Sequence, residues 1–340
     1  MTTLWDTTGS DVVHALAAER RTGGSITSGS ALTLLVVVGE RNVAQAEAAA
    51  TTAASHHPCR LLVVVRREVD ASVPRLDAEV LIGGRLGPGE AVVMRMYGRL
   101  GLHAESVALP LLAPDVPVVT WWYGPPPDQI AHDPLGVLAD HRLTDCSIAA
   151  DAEAGLLRRA DDYAPGDSDL AWTRITPWRI HLAAAVDSCT ERICAAVVHG
   201  EPGNPSARLL AGWLQSRLGC TVRVEAVDGG AGAIADVSLE VDGDGTLALR
   251  RVSGGQAVLE RSGQTDSQIP MPDRELGELL AEELRRIDVD EVYGEALEAA
   301  TGRSGLADRS PNRTHIWRDP ALQQAADRPT AAEAEAASRP

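Results

Sequence analysis

The apolar positions of this chain change their spacing near its middle. In the first half, residues 32–38 and 61–65 are apolar runs rich in valine, and the Ala-rich segment 42–55 between them has a helical pattern. Two such strands joined by a helix predict a buried parallel pair with a crossover. Further strands are expected at 79–82, 91–97 and 116–122, with a short helix at 102–112 closed by Pro114. A helix at 133–141 then leads into a strand at 142–149. Segment 151–163 predicts another helix. Its Leu156, Leu157 and Ala160 share a face, its acids come early, and Arg158 and Arg159 come late, as the helix dipole favours. The succession predicts a Rossmann-like layered α/β domain with helices on both faces of its sheet.

Past the loop at 165–169 the pattern is different. A helix at 177–188 carries Pro177 in its first turn, where proline is tolerated. A strand at 193–199 follows, then a helix at 206–218 with Leu209, Leu210, Trp213 and Leu214 on one side. Segment 221–227 alternates polar and apolar residues, as a half-exposed strand does. Strands at 237–241, 246–252 and 256–261 are joined by the glycine-rich turns 242–245 and 253–255, which predicts an antiparallel meander. Two amphipathic helices close the pattern, one striped by Leu276, Leu279, Leu280, Leu284 and Ile287, the other by Val289, Val292, Ala296 and Leu297. The chain thus divides into a Rossmann-like domain at 1–165 and a second α/β domain at 166–302, with the meander and the C-terminal helices in the second. Segment 303–340 is rich in Ala, Arg, Asp and Pro and is expected to be a disordered tail, with Thr314, His315, Ile316 and Trp317 as its one apolar element.

A chain of 340 residues exceeds a comfortable single core, which favours this two-domain reading. The start of the sequence has neither a basic nor an apolar leader region, and its longest apolar runs are too short to cross a bilayer. A cytoplasmic protein with no membrane partner is expected. Five cysteines, odd in number and widely spread, do not suggest a disulfide framework; Cys189 and Cys194 have four residues between them, but no second pair or suitably spaced His stands nearby, so no metal is expected. The net charge of −17 disfavours nucleic acid and favours partners with basic patches. The sequence contains no lysine, which excludes Schiff-base chemistry, a Walker-A loop and a kinase-type ATP site.

Catalytic constellations are hard to assemble from what remains. His56, His57 and Cys59 cluster between a helix and a strand, but no carboxylate stands at a spacing that completes a triad. The turn after the first long strand has one glycine, Gly39, followed by Glu40 where a pyrophosphate would sit, so no dinucleotide or other cofactor is expected. Gly229, Gly230 and Gly232 precede a strand and not a helix, which fails the nucleotide fingerprint. Asp242 and Asp244 lack the distal ligands of a calcium loop. Asn204 and Ser206, at the start of a helix, offer donors for an anion such as a sugar phosphate, or simply cap the helix.

Aromatic residues make up 3% of the chain, yet they concentrate at two places. Trp121, Trp122 and Tyr123 end a strand and run into a proline turn; alternation sends neighbouring side chains to opposite faces, so at least one ring is expected to be exposed. Trp172, Arg174, Trp178 and Arg179 lie within eight positions. Trp and Arg are enriched at binding hot spots, and both clusters are expected to form partner-binding patches.

These residues carry a resemblance. Val118 through Trp122, Asp133 through Leu135, Arg142 through Asp145, Pro205 through Leu214 and above all Asp169 through Arg179 resemble the glucose-6-phosphate dehydrogenase assembly protein family (OpcA type) of actinobacteria and cyanobacteria. The resemblance spans the body and leaves the tail outside. It implies a non-enzymatic protein that binds glucose-6-phosphate dehydrogenase, promotes its active oligomer and raises its activity, supporting NADPH supply from the oxidative pentose phosphate pathway. In photosynthetic relatives the system is linked to thiol redox state; no cysteine pair of this chain matches such a switch. On that reading Trp172, Arg174, Trp178 and Arg179 form or support one contact patch, and Trp121, Trp122 and Tyr123 a second. The rival readings are a sugar-phosphate-binding protein or enzyme that uses the helix start at Asn204 and Ser206, and a structural partner of the enzyme that leaves the rate unchanged.

Overall fold

The valine-rich runs lie at the centre of an eight-stranded sheet in the computed structural model, which describes residues 1–22, 30–83, 89–130, 133–227, 234–243 and 245–311. The first part of the chain runs β1 (Thr2–Leu4), α1 (Gly9–Thr22), β2 (Leu32–Val38), α2 (Val43–His56), β3 (Cys59–Arg67), β4 (Arg75–Ile82), β5 (Glu90–Tyr97) and α3 (Ala104–Ala108). It continues through β6 (Val118–Tyr123), α4 (Pro134–Val137), β7 (His141–Thr144), α5 (Ala152–Asp162) and β8 (Asp167–Asp169). The strands lie in the order β1-β4-β5-β3-β2-β6-β7-β8. From β5 to β8 all neighbours are parallel, while β4 and β1 are antiparallel additions at one edge. Numbered among themselves, the parallel strands follow the doubly wound 3-2-1-4-5-6 order. The α/β fold class read from the sequence is the observed one.

Both faces of this sheet are covered. Leu34, Val36, Leu61 and Val63 face α2, whereas Leu35, Leu62, Val64, Met94 and Met96 pack with Val12, Leu16 and Val107 from α1 and α3. A strand buried on both sides gains from apolar residues at every position, which explains the unbroken runs.

The second part of the chain runs α6 (Leu170–Arg174), α7 (Thr176–Asp187), β9 (Ile193–Gly200), α8 (Pro205–Leu218), β10 (Thr221–Glu225), β11 (Ile234–Val241), β12 (Gly245–Val252), β13 (Gln256–Arg261), β14 (Ser267–Pro270), α9 (Leu276–Leu284) and α10 (Glu291–Thr301). A six-stranded sheet has the order β10-β9-β11-β12-β13-β14, with β10 parallel to β9 and an antiparallel meander from β11 to β14. Its inner residues Val237, Leu239, Leu247 and Leu249 form one core with α7, α8 and α10. Helix α9 returns to the first layer, where Leu279, Leu280 and Leu284 join the core under α2. No helix among the described residues is long and apolar enough to cross a membrane.

Several elements differ from the sequence expectations, each for a local reason. The helix expected at 102–112 is reduced to the short α3 between two 3-10 turns, at 98–103 and 109–111, the second of which carries Pro110. The helix expected at 133–141 shrinks to α4, capped by Asp133, and the strand expected at 142–149 ends at Thr144, after which Asp145 caps a 3-10 turn. Residues 167–169 are strand β8 and not a loop, since Thr144 and its neighbours offer them a ladder. Val289 precedes α10 and is 46% exposed instead of lying on its stripe. The expected disorder from residue 303 is corrected as far as 311: Leu306 is fully buried, and Arg309 donates to the carbonyls of Ala160, Asp161 and Tyr163 at the end of α5. The remainder, with Thr314 to Trp317, lies outside the described residues.

Gly212 lets α8 and α10 meet, because a Cβ there would collide with the Ala296 carbonyl and stand 2.8 Å from the Ala300 nitrogen. Gly212→Ala is expected to lower stability by ~1–3 kcal/mol, read as a lower urea midpoint at unchanged slope. Gly203→Ala, with nothing within 4 Å of its Cβ, is expected to stay within ~0.5 kcal/mol of the parent.

Candidate functional site

The Trp/Arg block forms the passage from the first layer to the second. Strand β8 ends in Asp169, which is fully buried and caps α6 by accepting the Ala171 amide at 2.8 Å. The same carboxylate accepts the Thr144 hydroxyl at 2.6 Å and the Cys146 amide at 3.0 Å. Burial, with Asp145 close by, pushes its pKa up. At the far end of α6, Arg174 holds Asp145 with a two-pronged pair at 2.7 and 2.6 Å and reaches the Ser147 hydroxyl at 3.0 Å. The Ser206 hydroxyl of α8 donates to the Ala171 carbonyl at 3.0 Å. A helix of five residues is thereby tied to four other segments.

The indoles are interior. Trp172 is 2% exposed, donates Nε1–H to Asp290 at 2.8 Å, and lies 3.6 Å beneath the Arg179 guanidinium and 5.8 Å from the Tyr293 ring. Trp178 is equally buried, in the second core. Trp121 and Trp122 are buried in β6, and Tyr123 is half-buried with its hydroxyl donating to Gln45 at 3.0 Å. The expectation that at least one ring of Trp121, Trp122 and Tyr123 is exposed is therefore corrected, and Trp172 and Trp178 can only support a contact patch from beneath. Strand β6 is covered on both faces, so alternation exposes neither indole, and α6 is enclosed by both layers.

The helix start at Asn204 and Ser206 is also corrected as an anion site. The Asn204 side chain accepts the Ser206 and Ala207 amides at 2.9 and 3.4 Å, and the Ser206 hydroxyl is engaged with Ala171. Capping consumes the donors that an anion would need. At the start of α2, Glu40 pairs with Arg95 at 3.2 Å and with Arg67 at 3.8 Å, so a carboxylate occupies the place where doubly wound folds receive a pyrophosphate.

What the block does form is one wall of a surface cleft of about 540 Å³ between α7 and the segment from α9 to α10. Trp172, Thr173 and Arg179 line it together with His141 and Glu283. Glu283 accepts Thr173 Oγ1 at 2.7 Å and stands 3.3 Å from His141 Nε2. Burial pushes the Glu283 pKa up, but the His141 and Thr173 contacts outweigh it and hold the carboxyl below the usual Glu range. Burial pulls the Arg179 guanidinium down to about 10 despite Asp290 and Glu282 nearby. His141 Nδ1 and Arg179 Nε are buried without a hydrogen-bond partner. Ile180, 59% exposed, and Val289 stand at the rim, beside the exposed Arg285 and Arg286, for which no partner exists among the described residues. Sequence reasoning missed all four rim residues. Ile180 sits off the stripe of Trp178, Leu182 and Ala185, and that offset was the available signal.

Comparison with known proteins supplies the context for this cleft. A family model for the N-terminal domain of a glucose-6-phosphate dehydrogenase subunit matches residues 50–161, and the corresponding model for the C-terminal domain matches residues 165–297. The chain belongs to the glucose-6-phosphate dehydrogenase assembly protein (OpcA) family. The matched residues include β6, the whole Trp/Arg block, and the cleft rim at Ile180, Arg285, Arg286 and Val289. A search of curated proteins found no match. Among solved structures, a 3-ketoreductase from Actinomadura kijaniata, KijD10, is similar at 13% identity over 79% of this chain and 95% of its own, with a TM-score of 0.44. An oxidoreductase from Sinorhizobium meliloti gives 9% over 85% and 99%, TM-score 0.43. An NAD binding oxidoreductase from Klebsiella pneumoniae gives 10% over 85% and 100%, TM-score 0.38.

Two measurements test the brace. Arg174→Met strands Asp145, whose side chain is 1% exposed, and is expected to cost about 3 kcal/mol, the lower end for breaking a buried pair. The lowered pKa of Glu283 gives stability that is complete above the ordinary Glu value and lost as pH falls through the lowered one. Glu283→Gln is therefore expected to flatten the acid limb of a stability–pH curve below about pH 4.5, measured by urea unfolding. An unchanged acid limb refutes the assignment.

Proposed function

We propose that this protein is a non-enzymatic assembly factor that binds glucose-6-phosphate dehydrogenase, favours its active oligomer and so raises its activity. The observation that carries the reading is the match of assembly-family models to both parts of the chain, 50–161 and 165–297. Such a factor acts by binding the active state of the enzyme more tightly than the inactive one. A differential of ~1–3 kcal/mol gives a several-fold to hundredfold effect. In the cell this would support NADPH supply from the oxidative pentose phosphate pathway in the cytoplasm.

The contact surface we assign is the rim of the 540 Å³ cleft, in place of the buried indoles. Ile180 and Val289 offer apolar anchors, Arg285 and Arg286 offer free guanidiniums, and Arg179, stacked on Trp172, forms part of the floor. This is hot-spot chemistry: an apolar centre with Arg beside it. Of the two patches read from the sequence, the one around Trp172 and Arg179 is kept as the support beneath this rim. A net charge of −17 would steer the chain toward basic regions of the enzyme.

Titration of glucose-6-phosphate dehydrogenase from the same organism with this chain is expected to give a saturable rise in activity and co-elution on size exclusion. Ile180→Asp and Val289→Asp are each expected to weaken the complex ~10-fold or more, while Arg223→Gln on the distant β10 leaves it unchanged. No rise and no complex overturns the function. A complex indifferent to both rim substitutions overturns the surface.

A further inference from the structure

A second cavity, of about 180 Å³, opens where the two layers meet, on the other side of α6 from the cleft. Its wall brings together three guanidiniums from separate elements: Arg174 of α6, Arg251 of β12 and Arg274 just before α9. Ser206 from the first turn of α8, its hydroxyl already donated to Ala171, and the Trp178 ring complete the lining. Apart from Asp273, which pairs with Arg251 at 2.6 Å, the lining carries no acid. Three guanidiniums, each with a carboxylate partner, thus border one small cavity.

The cations are not equally satisfied. Arg174 is held by Asp145, and Arg274 by Glu282 and the Thr173 carbonyl. Arg251 makes its one hydrogen bond among the described residues from Nη1 to Asp273, whose side chain is 88% exposed. Its Nε is buried and has no acceptor. A buried donor without a partner is unfavourable, and in native structures it calls for an explanation. Asp273, the partner of Nη1, is solvated enough to swing away and leave the Nη1 and Nη2 edge of Arg251 open to a ligand.

We propose that this seam cavity is a binding site for a small phosphate monoester. The phosphate would take the free N–H groups of Arg251 in the two-pronged geometry that guanidinium favours and displace Asp273. Arg174 and Arg274, fixed by their own carboxylates, would supply the remaining positive field. The volume accommodates a phosphate and a few attached carbons and is too small for a dinucleotide. Because the wall draws on α6, α8, β12 and α9, the bound anion would hold the two layers together and stabilise the folded chain by mass action.

The test uses the full chain without the enzyme, so its result is independent of the assembly role. Glycerol 3-phosphate and inorganic phosphate are titrated by calorimetry and by thermal melting, against chloride at matched ionic strength. A saturable rise in melting temperature with glycerol 3-phosphate is expected. Arg251→Gln is expected to weaken binding at least ~10-fold. Asp273→Asn, which removes the competing carboxylate from an exposed position, is expected to tighten it. The opposite signs separate ligand binding from a change in folding, and Asp273→Asn decides the matter alone if Arg251→Gln does not fold. Absence of saturable binding, or binding that neither substitution moves, overturns the proposal.

Discussion

Asp169 brings a carboxylate with no access to solvent to the point where the first sheet ends and the second layer begins. Its presence there is tolerated because the Thr144 hydroxyl and the amides of Cys146 and Ala171 all donate to it. Those three contacts fix β7, the turn after it and the start of α6 in a single arrangement. Arg174 then closes the other end of α6 on Asp145, the residue next to Thr144, so both ends of the short helix are anchored to the same stretch of chain. A buried charge left partly unsatisfied costs more than most packing errors, and this network therefore specifies one relation between the two layers.

The same network explains why a block rich in Trp and Arg, the composition of a binding hot spot, lies mostly inside. Trp172 fills the space between α6 and α10, with its indole N–H on Asp290 and the Arg179 guanidinium stacked on its outer face. What reaches the surface is the consequence of that packing: a cleft floored by packed side chains, whose rim carries Ile180, Val289, Arg285 and Arg286.

Helices α6 and α7 contribute to both the cleft and the cavity at the seam. Trp172, Thr173, Thr176 and Arg179 line the cleft, while Arg174, Ile175, Pro177 and Trp178 line the cavity at the seam. Alternate sides of one continuous turn of chain thus look onto two different sites. Helix α9 adds a second link, since Leu279 lines the cavity and Glu282 and Glu283 line the cleft. A contiguous packed wall of this kind is the physical setting in which occupancy of one site is felt at another.

Local periodicity by itself determined the elements that bury a regularly spaced set of apolar residues. The valine runs of β2 and β3, the crossover helix α2, the meander strands β11 to β13 and the striped helices α9 and α10 were all legible, because burial imposes a regular spacing on the apolar residues. Elements that exist only because a neighbour offers partners were not: β8 is an Asp-Ser-Asp strand supported by β7, and residues 303–311 are pinned by the end of α5. The sequence also singled out Asp169 to Arg179 correctly as unusual, but composition cannot tell an exposed Trp from an enclosed one. That distinction was decided by tertiary structure alone, when the return of α9 to the first layer and the packing of α10 beside α8 closed over the indoles and left Ile180 and Val289 outside.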